Sequence, residues 1–307
     1  MKLLHGFVAK HGLSCVITMG NFDGVHLGHQ HLLSVCRQAA RSYHCPSMVV
    51  TFEPLPREFF SADRAPARLT RLREKLCLLR RHGMDVTWVL PFNARLAGMD
   101  AEQFIEHSLR RTKARAVVVG EDFRFGKGRK GDVAMLTEAG KLYGFEVLPQ
   151  PGQCLDGQRI SSTAVRQALA NGQLEQARRL LGRNYFMAGR VLEGNRLGRT
   201  LGYPTANLAL GRRRSPLHGI FAVRVAVGDE PCHRPGVASL GSRPTVDGSG
   251  REWLEVHLFN FTGDLYGRHL QVEFCHFLRP EQRFDDLAAL TAQMHRDAQQ
   301  ARRLLTA

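Results

Sequence analysis

The sequence predicts two domains, an α/β domain with a parallel sheet at residues 1–183 and a β-rich domain at residues 184–307. The 307 residues are enough for about two domains of ordinary size. Up to residue 181, short apolar runs alternate with segments of helical periodicity, a pattern typical of a parallel sheet with helices on both faces. Beyond residue 184 the apolar runs are separated by Gly, Pro and Asp, which indicates an antiparallel sheet or barrel.

Five strand-like runs define the predicted sheet of the first domain. They lie at residues 15–19, 47–52, 85–90, 115–120 and 145–148. Helical patterns separate or follow them at residues 29–43, 69–79, 101–111, 136–143, 163–171 and 174–181. Because ligands of such sheets bind beyond the carboxyl ends of the strands, we expect the loops after Met19, Phe52 and Gly120 to lie close together.

The second domain shows five β-rich runs and one closing helix. The runs lie at residues 186–192, 220–227, 236–240, 253–259 and 269–277. Between Leu287 and Leu305, apolar residues recur at helical spacing, which predicts an amphipathic helix.

Composition places the chain among ordinary globular proteins. Hydrophobic residues make up 43 % and charged residues 23 %, which excludes a disordered chain. No apolar run approaches the ~20 residues that span a bilayer, and the first residues lack a signal-peptide pattern, so we expect no membrane partner. The seven cysteines include no C-x-x-C pair, which argues against a disulfide framework or a zinc site and favours the reduced cytoplasm.

The net charge of +15 fits two kinds of partner. A basic surface attracts nucleic acid, and it equally attracts a small polyanion such as a nucleoside triphosphate. Only residues 123–130 interleave aromatic with basic side chains, the pattern expected of a nucleic-acid surface. We therefore expect no nucleic-acid partner and keep a basic nucleic-acid-binding protein as an alternative.

A phosphate-binding turn is predicted where the first strand ends. Residues 19–29 read Met-Gly-Asn-Phe-Asp-Gly-Val-His-Leu-Gly-His, and they lead into the first long helix. A helix start favours anions, and Gly20 permits close approach of a phosphate to the backbone. His26 and His29 lie three residues apart, so within a first helical turn they share a face and can stabilise charge on an α-phosphoryl group. A glycine turn with two surface histidines is the alternative.

Two further segments of the first domain carry candidate ligand groups. In Arg-Ile-Ser-Ser-Thr-Ala-Val-Arg at residues 159–166, Ser162 and Thr163 are either helix caps or part of a second phosphate clamp with Arg159. In residues 120–132, Phe123 and Phe125 either pack inward from a hairpin or grip a flat ligand.

The second domain contains a glycine-rich segment that differs from a Walker A loop. Residues 194–207 read Gly-Asn-Arg-Leu-Gly-Arg-Thr-Leu-Gly-Tyr-Pro-Thr-Ala-Asn, and their glycines and arginines can wrap a polyphosphate. Thr205 and Asn207 offer neutral oxygens two residues apart, which in a strand share one face and suit Mg²⁺. A glycine-rich hairpin without a ligand is the alternative.

Glu255 is the candidate base of the second domain. In residues 253–259, Leu254 and Val256 face one way in a strand, while Glu255 faces the other. A hydroxyl substrate needs such a carboxylate before it can accept a phosphoryl group. An ordinary exposed strand glutamate is the alternative.

Seven motifs in one order resemble the prokaryotic bifunctional riboflavin kinase/FMN adenylyltransferases, also called FAD synthetases. They are Gly-Asn-Phe-Asp-Gly-Val-His-x-Gly-His, Thr-Phe-Glu-Pro, Asp-Phe-Arg-Phe-Gly, Ile-Ser-Ser-Thr-x-Val-Arg, Gly-Arg-x-Leu-Gly-Tyr-Pro-Thr-Ala-Asn, Arg-Pro-Thr-Val and Glu-Val-His-Leu-Phe. The resemblance implies a nucleotidyltransferase-like, Rossmann-like α/β domain, followed by a six-stranded kinase barrel with a terminal helix. It also implies that ATP and Mg²⁺ serve each domain, that riboflavin is phosphorylated to FMN, and that FMN is adenylylated to FAD with release of pyrophosphate. FAD-requiring apoproteins are implied recipients.

Residue roles follow from the same resemblance. In the first domain it implies ATP contacts at Gly20, Asn21, Phe22, His26, His29, Arg159, Ser162 and Thr163. It implies flavin contacts there at Asp122, Phe123 and Phe125. In the kinase domain it implies ATP or phosphate contacts at Gly194, Gly198, Arg199, Gly202, Thr205 and Asn207, of which the last two hold Mg²⁺. Glu255 would activate the riboflavin hydroxyl, and Arg279 and Phe284 would lie near the flavin.

Two positions depart from the family pattern near the kinase site. Ser239 stands where the family often has Asn, and Glu193 stands where a histidine is common. These departures keep open a second alternative, an adenylyltransferase for another acceptor with a degenerate second domain.

Overall fold

Six strands within the first 150 residues form a parallel sheet in a computed structural model of the chain. The structure describes residues 1–7, 12–193, 202–211, 214–228, 230, 233–242 and 252–306. Its contacts divide the chain into a first unit, Met1–Pro66 with Leu72–Ser161, and a second unit, Ala67–Arg71 with Ser162–Ala307.

The strands and helices of the first unit alternate as the sequence predicts. The strands are β1 (Lys2–His5), β2 (Cys15–Met19), β3 (Ser47–Glu53), β4 (Val86–Pro91), β5 (Ala114–Gly120) and β6 (Glu146–Gln150), with a small hairpin of β7 (Cys154–Leu155) and β8 (Gln158–Arg159). The helices are α1 (Leu27–Ser42), α2 (Pro56–Phe60), α3 (Leu72–Arg81), α4 (Ala94–Gly98), α5 (Ala101–Ser108) and α6 (Val133–Tyr143). Short 3₁₀ turns occur at Arg110–Thr112 and Lys127–Arg129.

The order of the strands creates a crevice beside β2. The order is β1-β4-β3-β2-β5-β6, so the chain passes from β2 outward to β3 on one side and from β5 outward to β6 on the other. Right-handed crossovers in opposite directions place α1 and α6 on opposite faces of the sheet. Ligands bind beyond the carboxyl ends of the strands at such a switch point. The loops after β2 and β5 therefore flank the predicted ligand crevice.

Burial explains why β2 and β5 read as nearly continuous apolar runs. All five residues of β2 are buried, as expected for a strand covered on both faces. On one face Ile17, Val117 and Met48 share a core with Phe104 of α5 and Leu136 of α6. On the other, the Cys36 thiol of α1 donates to the Val16 carbonyl oxygen at 3.5 Å.

The second unit contains a closed barrel of six antiparallel strands. These are β9 (Tyr185–Leu192), β10 (Ala206–Ala209), β11 (Gly219–Val227), β12 (His233–Ser242), β13 (Glu252–Leu258) and β14 (His269–Arg279). Their order is β10-β13-β12-β11-β14-β9, and β9 pairs with β10 to close the barrel. The structure therefore confirms the parallel sheet and the six-stranded barrel with its closing helix.

Among the described residues of the second unit, three helices accompany the barrel: α7 (Ser162–Ala170), α8 (Leu174–Leu181) and the terminal helix (Leu287–Thr306). Helix α8 buries Leu174, Ala177, Leu180 and Leu181 and packs beside β9 and β14. The terminal helix buries Ala298, Ala301 and Leu305 in a cluster with Ala222 and Phe259 of the barrel unit.

The sequence analysis missed strand β1. Its four residues, Lys-Leu-Leu-His, form no apolar run, and only Leu4 is buried. The strand nevertheless pairs in parallel with β4. Among the described residues, no helix is long and apolar enough to cross a bilayer.

We expect a fragment of residues 162–307 to be more stable than one of residues 184–307, because the shorter fragment lacks α7 and α8. Burying one leucine side chain contributes about 1.5–3 kcal/mol, and α8 buries three. Urea unfolding of both purified fragments measures the difference in the free energy of unfolding. Equal stabilities would contradict the assignment of α8 to the barrel unit and would favour the predicted boundary at residue 183.

Candidate active sites

The loop of residues 20–26 connects β2 to α1 through an unusual backbone. Phe22 and Val25 have positive φ values of 47° and 42°, although neither is glycine. Such residues cost on the order of 1–3 kcal/mol each and persist where the surroundings hold them in place. Both side chains are fully buried. The ring of Phe22 lies 5.0 Å from that of His29, and a contact of Phe22 with ATP stays a prediction.

His26 and His29 stack directly upon each other. Their ring centroids are 3.6 Å apart and their planes differ by 18°. His26 is the N-cap of α1 rather than part of its first turn, and its Nδ1 accepts a hydrogen bond from the His29 backbone N–H at 3.3 Å. The expected convergence of the two rings is present. The helix begins at Leu27, two residues before the predicted helical pattern at residues 29–43, so His26 lies just outside its first turn. Because Nδ1 accepts, the neutral His26 ring carries its proton on Nε2, where it can donate.

The environment of His29 disfavours a positive charge on its ring. Burial, then the neighbouring His26 and Lys75, hold the pKa of His29 well below its usual value of about 6.5. Within the described part of the chain, the buried His29 Nδ1 has no hydrogen-bond partner. The ring is therefore neutral at physiological pH, so it can form hydrogen bonds without adding a full charge.

The loop after β5 brings two predicted ligand residues together. Arg159 donates through Nη2 to Asp122 Oδ2 at 2.6 Å, and more than half of each side chain is exposed. Phe123 is half-buried and stacks against Phe125, with ring centroids 5.6 Å apart. Phe125 is only 6 % exposed and packs against Phe104 in the core, as the inward-packing alternative expected. This placement disfavours direct flavin contact by Phe125, whereas Phe123 remains accessible.

Ser162 and Thr163 begin α7 in the second unit. Ser162 is half-buried and Thr163 is exposed, so both hydroxyls lie in the first turn of a nine-residue helix. Their assignment as ATP ligands stays a prediction.

In the barrel, strand register assembles the candidate kinase groups in one row. Asn207 of β10 lies opposite Glu255 of β13, and Glu255 lies opposite Ser239 of β12. Opposed residues in a sheet project from the same face, and Leu254 and Val256 are buried on the other face. The predicted orientation of Glu255 is therefore confirmed. The family-pattern position Ser239 is its direct neighbour, whereas Glu193 is an exposed residue after β9.

Thr205 precedes the strand that contains Asn207. Strand β10 begins at Ala206, so the predicted strand spacing of the two oxygens does not apply. Thr205 instead lines a cavity of about 490 Å³, a size suited to a small ligand. Its lining residues are Val191, Pro204, Thr205, Ala206, Val256, Leu258, Phe261, Gly263, Asp264, Leu265 and Tyr266.

Aromatic and histidine contacts fix the segment before Thr205. His257 donates through Nδ1 to the Pro204 carbonyl oxygen at 3.0 Å, and burial lowers the pKa of its ring. The Tyr203 hydroxyl forms a hydrogen bond with His295 of the terminal helix. Gly202 adopts a left-handed φ of 78° just before this anchored segment. The predicted contacts Gly194, Gly198 and Arg199 lie outside the described residues.

Arg279 is held by the terminal helix. Its guanidinium forms a two-pronged ion pair with Asp297, with Nε–Oδ1 at 3.0 Å and Nη2–Oδ2 at 2.8 Å. The same group lies 5.7 Å from the ring centroid of Phe284, so the two predicted flavin neighbours are in contact. Close to them, burial and the charge of Glu255 raise the pKa of the Glu281 carboxyl. Sequence reasoning missed Glu281, which stands within the Arg-Pro-Glu segment.

Comparisons with known proteins agree with both halves of the chain. The profile of the FAD synthetase family matches residues 9–164, and that of the riboflavin kinase family matches residues 181–305. The bifunctional riboflavin kinase/FMN adenylyltransferase of Escherichia coli (strain K12) is 48 % identical over 98 % of this chain and 97 % of its own. The chain belongs to this bifunctional family.

Other members and a solved structure extend the comparison. The family member from Pseudomonas fluorescens is 47 % identical over 98 % of this chain and 96 % of its own. A crystal structure titled macrolide-efflux protein, from Streptococcus pneumoniae, superposes with a TM-score of 0.82 at 29 % identity, covering 98 % of this chain and 99 % of its own. The whole-length superposition shows that both domain folds occur together in another chain.

We expect His29 to remain neutral in the nucleotide-free protein as the pH falls from 8 to 6.5. Its depressed pKa means that the unfolded chain binds this proton before the folded protein does, so His29 lowers stability as the pH drops below about 6.5. A histidine NMR titration, with His29→Gln for assignment, measures the protonation directly. A midpoint at or above 6.5 would contradict the described environment.

Proposed function

We propose that the chain makes FAD from riboflavin in two ATP-dependent steps, each performed by one unit. The barrel forms FMN, and the α/β unit converts FMN to FAD. The observation that carries this proposal is the presence of two separate candidate phosphoryl sites, the stacked His26–His29 pair and the Asn207–Glu255 pair. Family membership over the whole chain supports the same two reactions.

In adenylyl transfer, a phosphate oxygen of FMN attacks the α-phosphorus of ATP. A P–O bond forms to FMN, the bond to the β-phosphate bridging oxygen breaks, and pyrophosphate leaves. The acceptor is already an anion, so the reaction needs stabilisation of charge more than a base. The neutral His26 ring donates from Nε2, His29 lies stacked on it, and the start of the 16-residue helix α1 adds positive potential.

In riboflavin phosphorylation, the ribityl 5′-hydroxyl attacks the γ-phosphorus of ATP and ADP leaves. Glu255 accepts the hydroxyl proton, a role that requires a carboxylate near the site of transfer. We place the nucleoside part of ATP in the cavity beside Thr205, because its lining is largely apolar; Val256 and Leu258 reach it from the face of β13 opposite to Glu255. Arg279 and Phe284 lie beside the proposed position of riboflavin, and Asp297 holds the Arg279 guanidinium in place.

The barrel unit is also the proposed place of a magnesium ion. Mg²⁺ is usually held by one or two protein oxygens together with substrate phosphates and water. Thr205 supplies a hydroxyl at the cavity wall, and the nearly buried Asn207 supplies an amide oxygen beside Glu255. When bound, the ion neutralises phosphate charge during transfer. We assign Thr205 and Asn207 as its ligands.

ATP, riboflavin and FMN are the proposed small-molecule partners, and FAD-requiring apoproteins are the proposed recipients of the product. A chain that uses ATP and makes an intracellular cofactor is proposed to work in the cytoplasm, without a nucleic-acid partner.

His29→Ala is expected to abolish FAD formation while riboflavin phosphorylation stays nearly intact. Loss of one donor to a developing oxyanion costs about 2.7–4 kcal/mol, equivalent to roughly 10²–10³ in rate. Separate assays with FMN plus ATP and with riboflavin plus ATP measure the two activities. His31→Ala, on the same helix, is the matched control because His31 bonds to Gln150. Equal loss of both activities in a folded His29→Ala protein would exclude the two-site proposal.

Glu255→Gln is expected to lower kcat for FMN formation by about 10²–10⁴, because glutamine keeps the shape but cannot accept the proton. ATP binding and FAD formation from supplied FMN should change little. Glu273→Gln is the control, since Glu273 is another partly exposed glutamate of the barrel. A kinase rate within a few-fold of the unmodified chain would remove Glu255 from the mechanism.

A further inference from the structure

Lys75 is a charged residue with no exposure to solvent. It lies in α3, and its relative exposure is 0 %. Lysine is rarely fully buried, because removal of its ammonium group from water is costly. Lys75 has no predicted role, because one lysine in an amphipathic helix is usually a surface residue.

A hydrogen-bonded relay connects Lys75 to the loop of residues 20–26. Lys75 Nζ donates to Thr51 Oγ1 at 3.3 Å, and Thr51 Oγ1 donates to the Asn21 carbonyl oxygen at 3.2 Å. Thr51 lies in β3, the immediate neighbour of β2, and is itself fully buried. The relay therefore reaches the backbone of the loop from the buried interior of the first unit.

The loop that receives this relay needs support. It holds Phe22 and Val25 in left-handed conformations and ends at His26, the cap of α1. A change in its path would move the stacked histidine pair, because His26 is fixed at the junction of loop and helix.

The Lys75 ammonium also acts on His29 through space. Its positive charge is one of the causes that lower the pKa of His29, after burial and His26. A positive charge on Lys75 adds to the positive potential of the helix start, which is the potential that attracts a polyphosphate.

We propose that Lys75 is a positioning residue for adenylyl transfer. Through Thr51 it fixes the loop that carries His26, and its buried ammonium supplies positive charge beneath His29. This inference rests on the proposed function of the α/β unit and adds to it a residue that does not touch substrate. A purely structural lysine would affect stability alone, whereas a positioning lysine also affects the His29 pKa and the rate of FAD formation.

Two substitutions separate the charge from the relay. Lys75→Met keeps a side chain of similar length but removes its charge. We therefore expect the pKa of His29 to rise, and kcat/KM for ATP in FAD formation to fall about tenfold to hundredfold. Thr51→Val removes the relay hydroxyl but keeps the cation, so we expect the same kinetic loss with the His29 pKa still low. Thr51→Ser restores the hydroxyl and should restore the rate. Lys141→Met is the control, because Lys141 is an exposed residue of α6.

The measurements are FAD formation from FMN, the NMR titration of His29, and the riboflavin kinase rate of the same full-length protein as a check on folding. If Lys75→Met does not fold, the rate of FAD formation by Thr51→Val tests the inference. FAD formation within twofold of the unmodified chain in a folded Lys75→Met or Thr51→Val protein would overturn the inference. An unmodified chain that forms no FAD would overturn the proposed function itself.

Discussion

Hydrogen-bonded register between neighbouring strands is the constraint on which both candidate sites depend. In the α/β unit, parallel pairing of β2 with β3 and β5 brings the loops that follow these strands to one edge of the sheet. In the barrel, antiparallel pairing sets Asn207 opposite Glu255. A shift of one residue in either register would turn the side chains to the other face and dismantle the site.

The two sites solve different chemical problems, and their residues differ accordingly. Adenylyl transfer has an anionic acceptor, and its candidate groups are two stacked histidines at a helix start. Phosphorylation has a hydroxyl acceptor, and its candidate groups include a partly exposed glutamate and neutral oxygens beside a cavity. Division of these environments between two units allows each to be tuned for its own reaction.

Local patterns in the sequence predicted the sheet, the second-domain β structure and the orientation of Glu255, because strand and helix periodicities are properties of neighbouring residues. They did not predict that His26 would cap α1 or that Thr205 would precede its strand, and they left open whether Phe125 packs inward or contacts a ligand. The relay from Lys75 to Asn21 also joins residues far apart in the chain. Such features depend on packing between distant segments, which periodicity does not report.

The fate of labelled phosphorus shows whether two successive transfers from two ATP molecules take place. The protein is incubated with riboflavin, Mg²⁺ and ATP labelled either at the α- or at the γ-phosphate, and the flavins are separated. We expect the γ-label to enter FMN and to remain in FAD, whereas the α-label enters FAD alone. FMN without the γ-label, or FAD without the α-label, would contradict the two-step scheme.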